Sequence, residues 1–168
     1  DLSGVELYGK VEGKHYAADS ILVSFWKDFI YNHTGSTSYV LYPDKSGNFD
    51  VKLPAISKPG VIQVSYINEK AQNYWGNYYV EAGDKIFIGI KNNANGESAI
   101  RFSGRGGENL ACSQLLKIAK DDLRKNRLAA AKAGFENIDH VKYLYKLFSA
   151  GRAKMNEILF SYKTRLSP

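Results

Sequence analysis

The stretch Ala99-Ile100-Arg101-Phe102-Ser103-Gly104-Arg105-Gly106-Gly107 marks the point at which the pattern of the chain changes. Before it, apolar and polar residues alternate, which is the period of a β-strand with one buried face. After it, apolar residues recur at intervals of three and four, the spacing of an amphipathic helix. The glycines between the two patterns supply a flexible joint. The chain is therefore predicted to have a β-rich domain over residues 1–104 and a helical part over residues 105–168.

Upstream of the joint, about eight short segments with a period of two predict an antiparallel β-sandwich or a partly open barrel. They begin at Val5 and Ile21 and continue as Tyr39–Tyr42, Phe49–Leu53, Val61–Ile67, Tyr74–Val80, Lys85–Ile90 and Ala99–Phe102. The third and fourth flank Pro43-Asp44-Lys45-Ser46-Gly47-Asn48, whose proline, aspartate and glycine favour a tight reversal. These two segments are predicted to form a hairpin.

Downstream of the joint, the spacing predicts two helices. The first is expected to begin at Glu108 or Asn109 and to run to about Ala133, where Gly134 is a natural stop; the second is capped by Asn137. The second carries an apolar stripe that we expect to pack on the first helix or on the β-domain: Ile138, Val141, Tyr145, Phe148, Met155, Leu159 and Tyr162. A short connection favours an antiparallel helical hairpin, so the predicted fold class is α+β. The helical part is either a subdomain or a linker to a missing C-terminal domain.

The composition is that of a globular chain. It has 168 residues, of which 44% are hydrophobic and 24% are charged, and no apolar run approaches the roughly 20 residues that span a bilayer. The net charge is +6, and much of the excess lies after residue 116 among apolar helix positions. That pattern indicates a solvated helix face, so nucleic-acid binding is not expected. The lack of a long apolar run means that membrane spanning is not expected either.

A search for catalytic chemistry finds no enzyme signature. The three histidines, His15, His33 and His140, lack metal-ligand spacing, and no Gly-x-Ser-x-Gly elbow is present. The single cysteine, Cys112, has no partner for a Cys-x-x-Cys motif and sits among apolar helix positions, which favours a buried structural role over a redox role. No metal, cofactor or catalytic residue is therefore expected.

Aromatic residues are the one compositional oddity, and four of them fall in a single predicted strand: Tyr74, Trp75, Tyr78 and Tyr79. Strict alternation would place Tyr74 with Tyr78 on one face and Trp75 with Tyr79 on the other. One pair then points away from the core. It is either covered by the helices or exposed as a platform for glycans or a protein partner.

The order of these motifs resembles the N-terminal region of cell-envelope thioredoxin-like proteins of Gram-negative bacteria, of the thiol-disulfide oxidoreductase type. The resemblance covers nearly the whole chain and rests on four motifs. They are the strand Val5–Val11, the segment Asp44–Leu53 with Gly47-Asn48-Phe49, the stretch Tyr78–Ile86, and Ile100–Gly104 before a helix.

In the family that the chain resembles, a small β-domain and a helical segment precede a thioredoxin domain with Cys-x-x-Cys. This chain has neither that motif nor a thioredoxin βαβ pattern, so the resemblance implies an accessory region to which no catalytic residue carries over. It implies a periplasmic or envelope location and, as partners, another protein or the missing thioredoxin domain. The end at Leu166-Ser167-Pro168 is consistent with a cut from a longer protein. A glycan-binding sandwich is the alternative function, and an unrecognised hydrolase is a third.

Overall fold

The computed structural model describes residues 3–27, 35–93, 95, 97–132 and 138–165. Within these residues, eight strands in two sheets precede two helices, which confirms the predicted α+β class and the sandwich-like arrangement. The strands are β1 (Glu6–Glu12), β2 (Ser20–Trp26), β3 (Ser36–Leu41), β4 (Asn48–Lys52), β5 (Gly60–Ile67), β6 (Gln72–Val80), β7 (Lys85–Asn92) and β8 (Ser98–Arg105). The helices are α1 (Gly107–Lys132) and α2 (Ile138–Tyr162).

The strands are divided equally between the sheets. The first sheet has the order β4-β1-β7-β8 and the second has the order β3-β2-β5-β6. All pairs are antiparallel except β1 with β7, which are parallel. Alternate residues of the central strands are fully buried, and they form the core of this unit: Leu7, Ile21, Val23, Ile62, Val64, Tyr66, Ile86, Ile88 and Ile90.

The predicted hairpin between the third and fourth strands is wrong. The tight reversal itself exists, because the Gly47 N–H donates to the Asp44 carbonyl and the Asp44 carboxylate accepts the backbone N–H groups of Ser46 and Asn48. However, β3 pairs with β2 and β4 pairs with β1, so the chain crosses from one sheet to the other. The Phe49 ring lies over Gly9, its partner on β1, where a Cβ atom would come within 2.6 Å of a ring carbon. This contact accompanies the antiparallel ladder of five residue pairs that joins β4 to β1 in the first sheet.

The chain divides into two compact units, Asp1–Leu110 and Ala111–Pro168. The predicted boundary at Gly104 lies inside β8, and the first four residues of α1 belong to the first unit. The observed helix α1 starts at Gly107, close to the predicted start. The predicted stop at Gly134 and the predicted cap at Asn137 lie outside the described residues.

The second unit contains the predicted antiparallel helical hairpin. Near its turn, a His140 ring nitrogen lies 2.7 Å from the Ala130 carbonyl oxygen. Further along, a Cβ atom at Gly151 would lie 2.9 Å from a methyl group of Leu123. The residue numbers rise on one helix as they fall on the other, so the two helices are antiparallel.

The stripe of α2 that was predicted to pack is buried only in part, because its members Met155 and Tyr162 are half-buried and its other five members are exposed. Phe148 and Leu159 are 41% and 44% exposed, whereas Leu144 is 9% exposed and Leu147 and Gly151 are half-buried. Positions 144, 147 and 151 are also separated by three and four residues, so α2 carries two apolar stripes of the same period. The seam uses the stripe with the glycine because a residue without a side chain lets the helices approach closely at Leu123.

Candidate functional site

The two sheets differ sharply in charge. The four strands of the second sheet contain 30 residues, none of them Asp, Glu, Lys or Arg, whereas nine charged residues lie in the strands of the first sheet. On the first sheet, opposite charges pair across strands, as in Arg101 with Glu12 and Lys85 with Glu6. The strands of the first sheet therefore present charged residues to solvent, and the strands of the second sheet present only uncharged ones.

A polar row crosses the outer face of the second sheet, formed by Ser38, Ser24, Gln63 and Asn77. Ser24 is paired with Ser38 on β3 and with Gln63 on β5, and the two serine hydroxyls lie 3.2 Å apart. The Gln63 amide donates a hydrogen bond to the Asn77 side-chain carbonyl. The polar row thus presents only neutral hydroxyl and amide groups.

Tyrosines lie on either side of the polar row at the β6 edge. Tyr74 is opposite Ser65 and Tyr79 is opposite Val61, and the two tyrosines are 54% and 51% exposed. Their partners Ser65 and Val61 are four residues apart on β5, so the two tyrosines are separated by roughly 13 Å along the strand. We call Tyr74, Tyr79 and the polar row the neutral face.

The four aromatic residues are not grouped as predicted, because β6 contains a β-bulge. On β5, Gln63 faces two residues of β6, Gly76 and Asn77, where the register shifts between Ile62 and Val64. An extra residue in one strand reverses the alternation beyond it. Tyr74 therefore shares its face with Tyr79, and not with Tyr78.

Trp75 and Tyr78 lie on the core side of β6. Trp75 is opposite Val64 and is half-buried, and Tyr78 is opposite Ile62 and is 4% exposed. The Tyr78 ring packs edge-on against Phe102 of the first sheet, with ring centroids 4.8 Å apart. Burial raises the pKa of Tyr78 to about 12. Only half of the predicted aromatic platform is thus available to a ligand.

The groups with catalytic potential occupy structural positions. Cys112 is buried, and burial raises the pKa of its thiol. The ring nitrogens of His15 lie within hydrogen-bonding distance of the Gly13 and Asp44 carbonyl oxygens. His33 lies outside the described residues. In the described ranges, no group of three or more His, Cys, Asp or Glu side chains is placed to hold a metal ion.

A buried polar network escaped sequence analysis. The Tyr66 hydroxyl donates to the Asp19 carboxylate at 2.6 Å, and the same oxygen accepts the Tyr16 backbone N–H. Burial is the main cause that raises the pKa of Tyr66, and the Asp19 carboxylate adds to it. The network borders a cleft of about 410 Å³ that is lined by Lys14, Tyr16, Asn68, Glu69, Lys70, Asn92 and Asn93. A tyrosine at an inward position of β5 was the available signal, because a buried phenol needs a partner.

No family model matches the chain, and a search of curated proteins finds no match. Among the described residues, no helix combines the length and apolar character needed to cross a membrane.

Proposed function

We propose that this chain is a non-catalytic interaction module, the N-terminal accessory region of a periplasmic or envelope thioredoxin-like protein. The neutral face is its docking surface. The occupant is a protein surface, either a separate partner or a thioredoxin domain of the same polypeptide. The observation that supports this proposal is the absence of charged residues from the strands of the second sheet, together with the exposed Tyr74 and Tyr79.

The physical argument concerns the cost of removing water. The centres of protein interfaces are depleted in charged residues and enriched in aromatic ones, because burying an unpaired charge is expensive. Hydroxyl and amide groups need only hydrogen-bond partners, which a docked backbone or side chain supplies. Tyrosine adds a large, stiff ring with a polar end, which makes it a frequent source of binding energy. The neutral face has all three properties.

The docking proposal is tested by placing a photo-crosslinking amino acid at Tyr79 in the full-length parent protein, expressed in its native envelope. The matched control is Tyr8, which is on the outer face of the first sheet and is 39% exposed. We expect a specific covalent product from position 79 and none from position 8. Equal yields at the two positions would contradict docking on the neutral face.

The assignment to a thioredoxin-like parent rests on the resemblance alone and has its own test. Sequencing the gene beyond codon 168 is expected to show the same reading frame continuing into a domain with Cys-x-x-Cys. A frame that encodes a domain of another class would remove the thioredoxin part of the proposal. The docking test at Tyr79 would stand independently.

Glycan binding is the second candidate function, because the polar row lies between the two exposed tyrosines. Sugars bind through aromatic stacking on their apolar faces and through hydrogen bonds to their hydroxyl groups, and neutral amides serve both donor and acceptor roles. A separation of roughly 13 Å suits a short run of linked sugar rings. On a polysaccharide array, binding that Tyr79→Ala removes while Tyr8→Ala preserves it would favour the glycan function over protein docking.

A further inference from the structure

The net positive charge of this chain comes entirely from its helical unit. Residues 111–168 contain twelve Lys and Arg and five Asp and Glu, a formal charge of +7, whereas residues 1–110 contain eleven and twelve, a charge of −1. The helical unit is therefore a strongly cationic body joined to a nearly neutral one. That charge is expected to favour anionic binding partners.

An exposed apolar row runs along the outside of α2, which we call the outer row: Val141, Tyr145, Phe148 and Leu159. Their spacing of four, three and eleven residues keeps them on one side of the helix. Ile138 and Phe160, which lie beside the outer row, are 66% and 77% exposed. Tyr145 itself is 74% exposed. Shallow hollows between these side chains share Asn156, so they follow one another along one helix face, with Arg152 and Asn156 between Phe148 and Leu159.

Cations are interleaved with the outer row. Arg152 lines a hollow with Tyr145 and Phe148, and Lys163 lines the next hollow with Leu159 and Phe160. Lys142 and Lys146 are exposed and fall one step outward at 100° per residue. The two acidic residues of α2, Asp139 and Glu157, share the side of the helix that carries Lys142 and Lys146, and Asp139 pairs with Lys142 at 3.6 Å, so Arg152 and Lys163 are the cations nearest to the outer row.

The charge and shape of this helix face favour one kind of binding partner over the others. A second copy would bring +7 against +7, which opposes association through the same face. An acidic protein helix would need a groove, but the outer row is a convex line of side chains on one helix. A flat anionic surface accepts a convex apolar row along its whole length, and its negative charges meet the interleaved cations.

We propose that α2 binds the surface of an anionic phospholipid bilayer with its outer row. In this arrangement Phe148, Leu159 and Phe160 enter the boundary between headgroups and acyl chains, as the apolar face of an interfacial helix does. Tyr145 sits at headgroup level. Arg152 and Lys163 extend to lipid phosphates while their methylene stems stay among the acyl chains. The inference does not depend on the function proposed for the neutral face.

The experiment uses the whole chain in co-sedimentation with vesicles of phosphatidylcholine alone and of phosphatidylcholine mixed with phosphatidylglycerol. We expect binding to the mixed vesicles, weak binding to the neutral ones, and a loss of binding at high salt. Arg152→Gln with Lys163→Gln should weaken partitioning roughly thirtyfold. The matched control, Lys45→Gln with Lys58→Gln, removes the same charge from the first unit and should leave partitioning within about twofold.

A second pair of variants tests the apolar part of the contact. Tyr145→Ser with Phe160→Ser removes the two most exposed rings of α2, and it should abolish binding while far-ultraviolet circular dichroism remains unchanged. Tyr42→Ser with Leu128→Ser removes exposed apolar side chains elsewhere and should bind normally. Binding that depends on charge but not on Tyr145 and Phe160, or equal binding to polyglutamate, would overturn the proposal in favour of a polyanionic partner. No binding to mixed vesicles would also overturn it.

Discussion

Gly106 is the residue on which the junction between β8 and α1 depends. Its φ is +82°, a region that other L-residues avoid, and a Cβ atom there would lie 2.3–2.5 Å from the Asp84 carboxylate atoms. Asp84 is 6% exposed, and its carboxylate also accepts the Glu81 backbone N–H, a hydrogen bond that closes the turn between β6 and β7. The carboxylate has little freedom to move away, so a side chain at Gly106 has no room.

Gly106→Ala is expected to lower the free energy of unfolding by about 2 kcal/mol or more, because a left-handed conformation and a steric collision act together. The control is Gly35→Ala, since a Cβ atom at Gly35 meets nothing within 4 Å. That control should change stability by less than about 0.5 kcal/mol. Urea denaturation measures both values. Equal midpoints for the two variants would contradict this account of the junction.

The Tyr78 phenol predicts a loss of stability in alkaline solution. Its pKa is raised from 10.0 to about 12 by burial, so between these values it is neutral in the folded chain and ionised in the unfolded chain. Its full contribution is present below pH 10 and is lost as the pH rises through 12, at a rate of about 1.4 kcal/mol per pH unit. Tyr66, whose pKa is also raised, adds to the effect.

Tyr78→Phe should therefore flatten the fall in unfolding free energy between pH 10 and pH 12, while the edge-on contact with Phe102 is kept. Tyr42→Phe is the control, because Tyr42 is 64% exposed. The measurement is urea denaturation at a series of alkaline pH values. An unchanged slope in Tyr78→Phe would show that the phenol of Tyr78 is not the group responsible.

Among the helices, the packing between α1 and α2 predicts that removing a smaller side chain costs more stability than removing a larger one. Leu144→Ala removes a buried side chain and should cost about 2–4 kcal/mol. Phe148→Ala removes a larger side chain that is 41% exposed and should cost less. Denaturation followed at 222 nm reports on the helices directly. A larger loss of unfolding free energy for Phe148→Ala than for Leu144→Ala would show that Phe148 packs as the sequence pattern predicts.

The same helix shows how far a sequence pattern can be taken. The two helices and their antiparallel order follow from period and chain length, and both are confirmed. Both stripes of α2 have three-four spacing, so the pattern alone does not choose between them. The residue that decides which stripe packs against α1 is Gly151, which has no side chain and is therefore not counted as a hydrophobic position. Its role becomes clear only when Leu123 is placed beside it.

Strand β6 shows the same limit for the candidate site. The four clustered aromatic residues were identified from the sequence, but the alternation rule assumes an uninterrupted ladder. The bulge at Gly76 and Asn77 arises from pairing with Gln63 on another strand, and this long-range fact is absent from the local pattern. The lack of charge in the second sheet was readable in principle. It became meaningful once β2, β3, β5 and β6 were known to be neighbours.

In the complete chain, the sheet topology places charged and uncharged strands on different sheets, although they alternate along the sequence. Charged and uncharged strands are interleaved along the chain, since β4 lies between β3 and β5. The chain changes sheet four times, after β1, β3, β4 and β6, and so it collects the charged strands in one sheet and the uncharged strands in the other. The neutral face belongs to the first unit and the excess cations belong to the helical unit, so the two surfaces are formed by different residues. They predict that mutations on one leave the binding property of the other unchanged.

The whole chain is predicted to lack disulfide-reductase activity, because thiol-disulfide exchange with turnover uses two thiols in one molecule. Cys112 is the only cysteine, it is buried, and burial raises the pKa of its thiol, so the reactive thiolate is scarce. Insulin reduction by dithiothreitol should proceed at the rate of a protein-free control, with or without Cys112→Ser. A thiol reagent should label the folded chain slowly and label one site per chain after denaturation. Turnover that Cys112→Ser abolishes would show that the cysteine is catalytic, and the chain would then no longer be an accessory module.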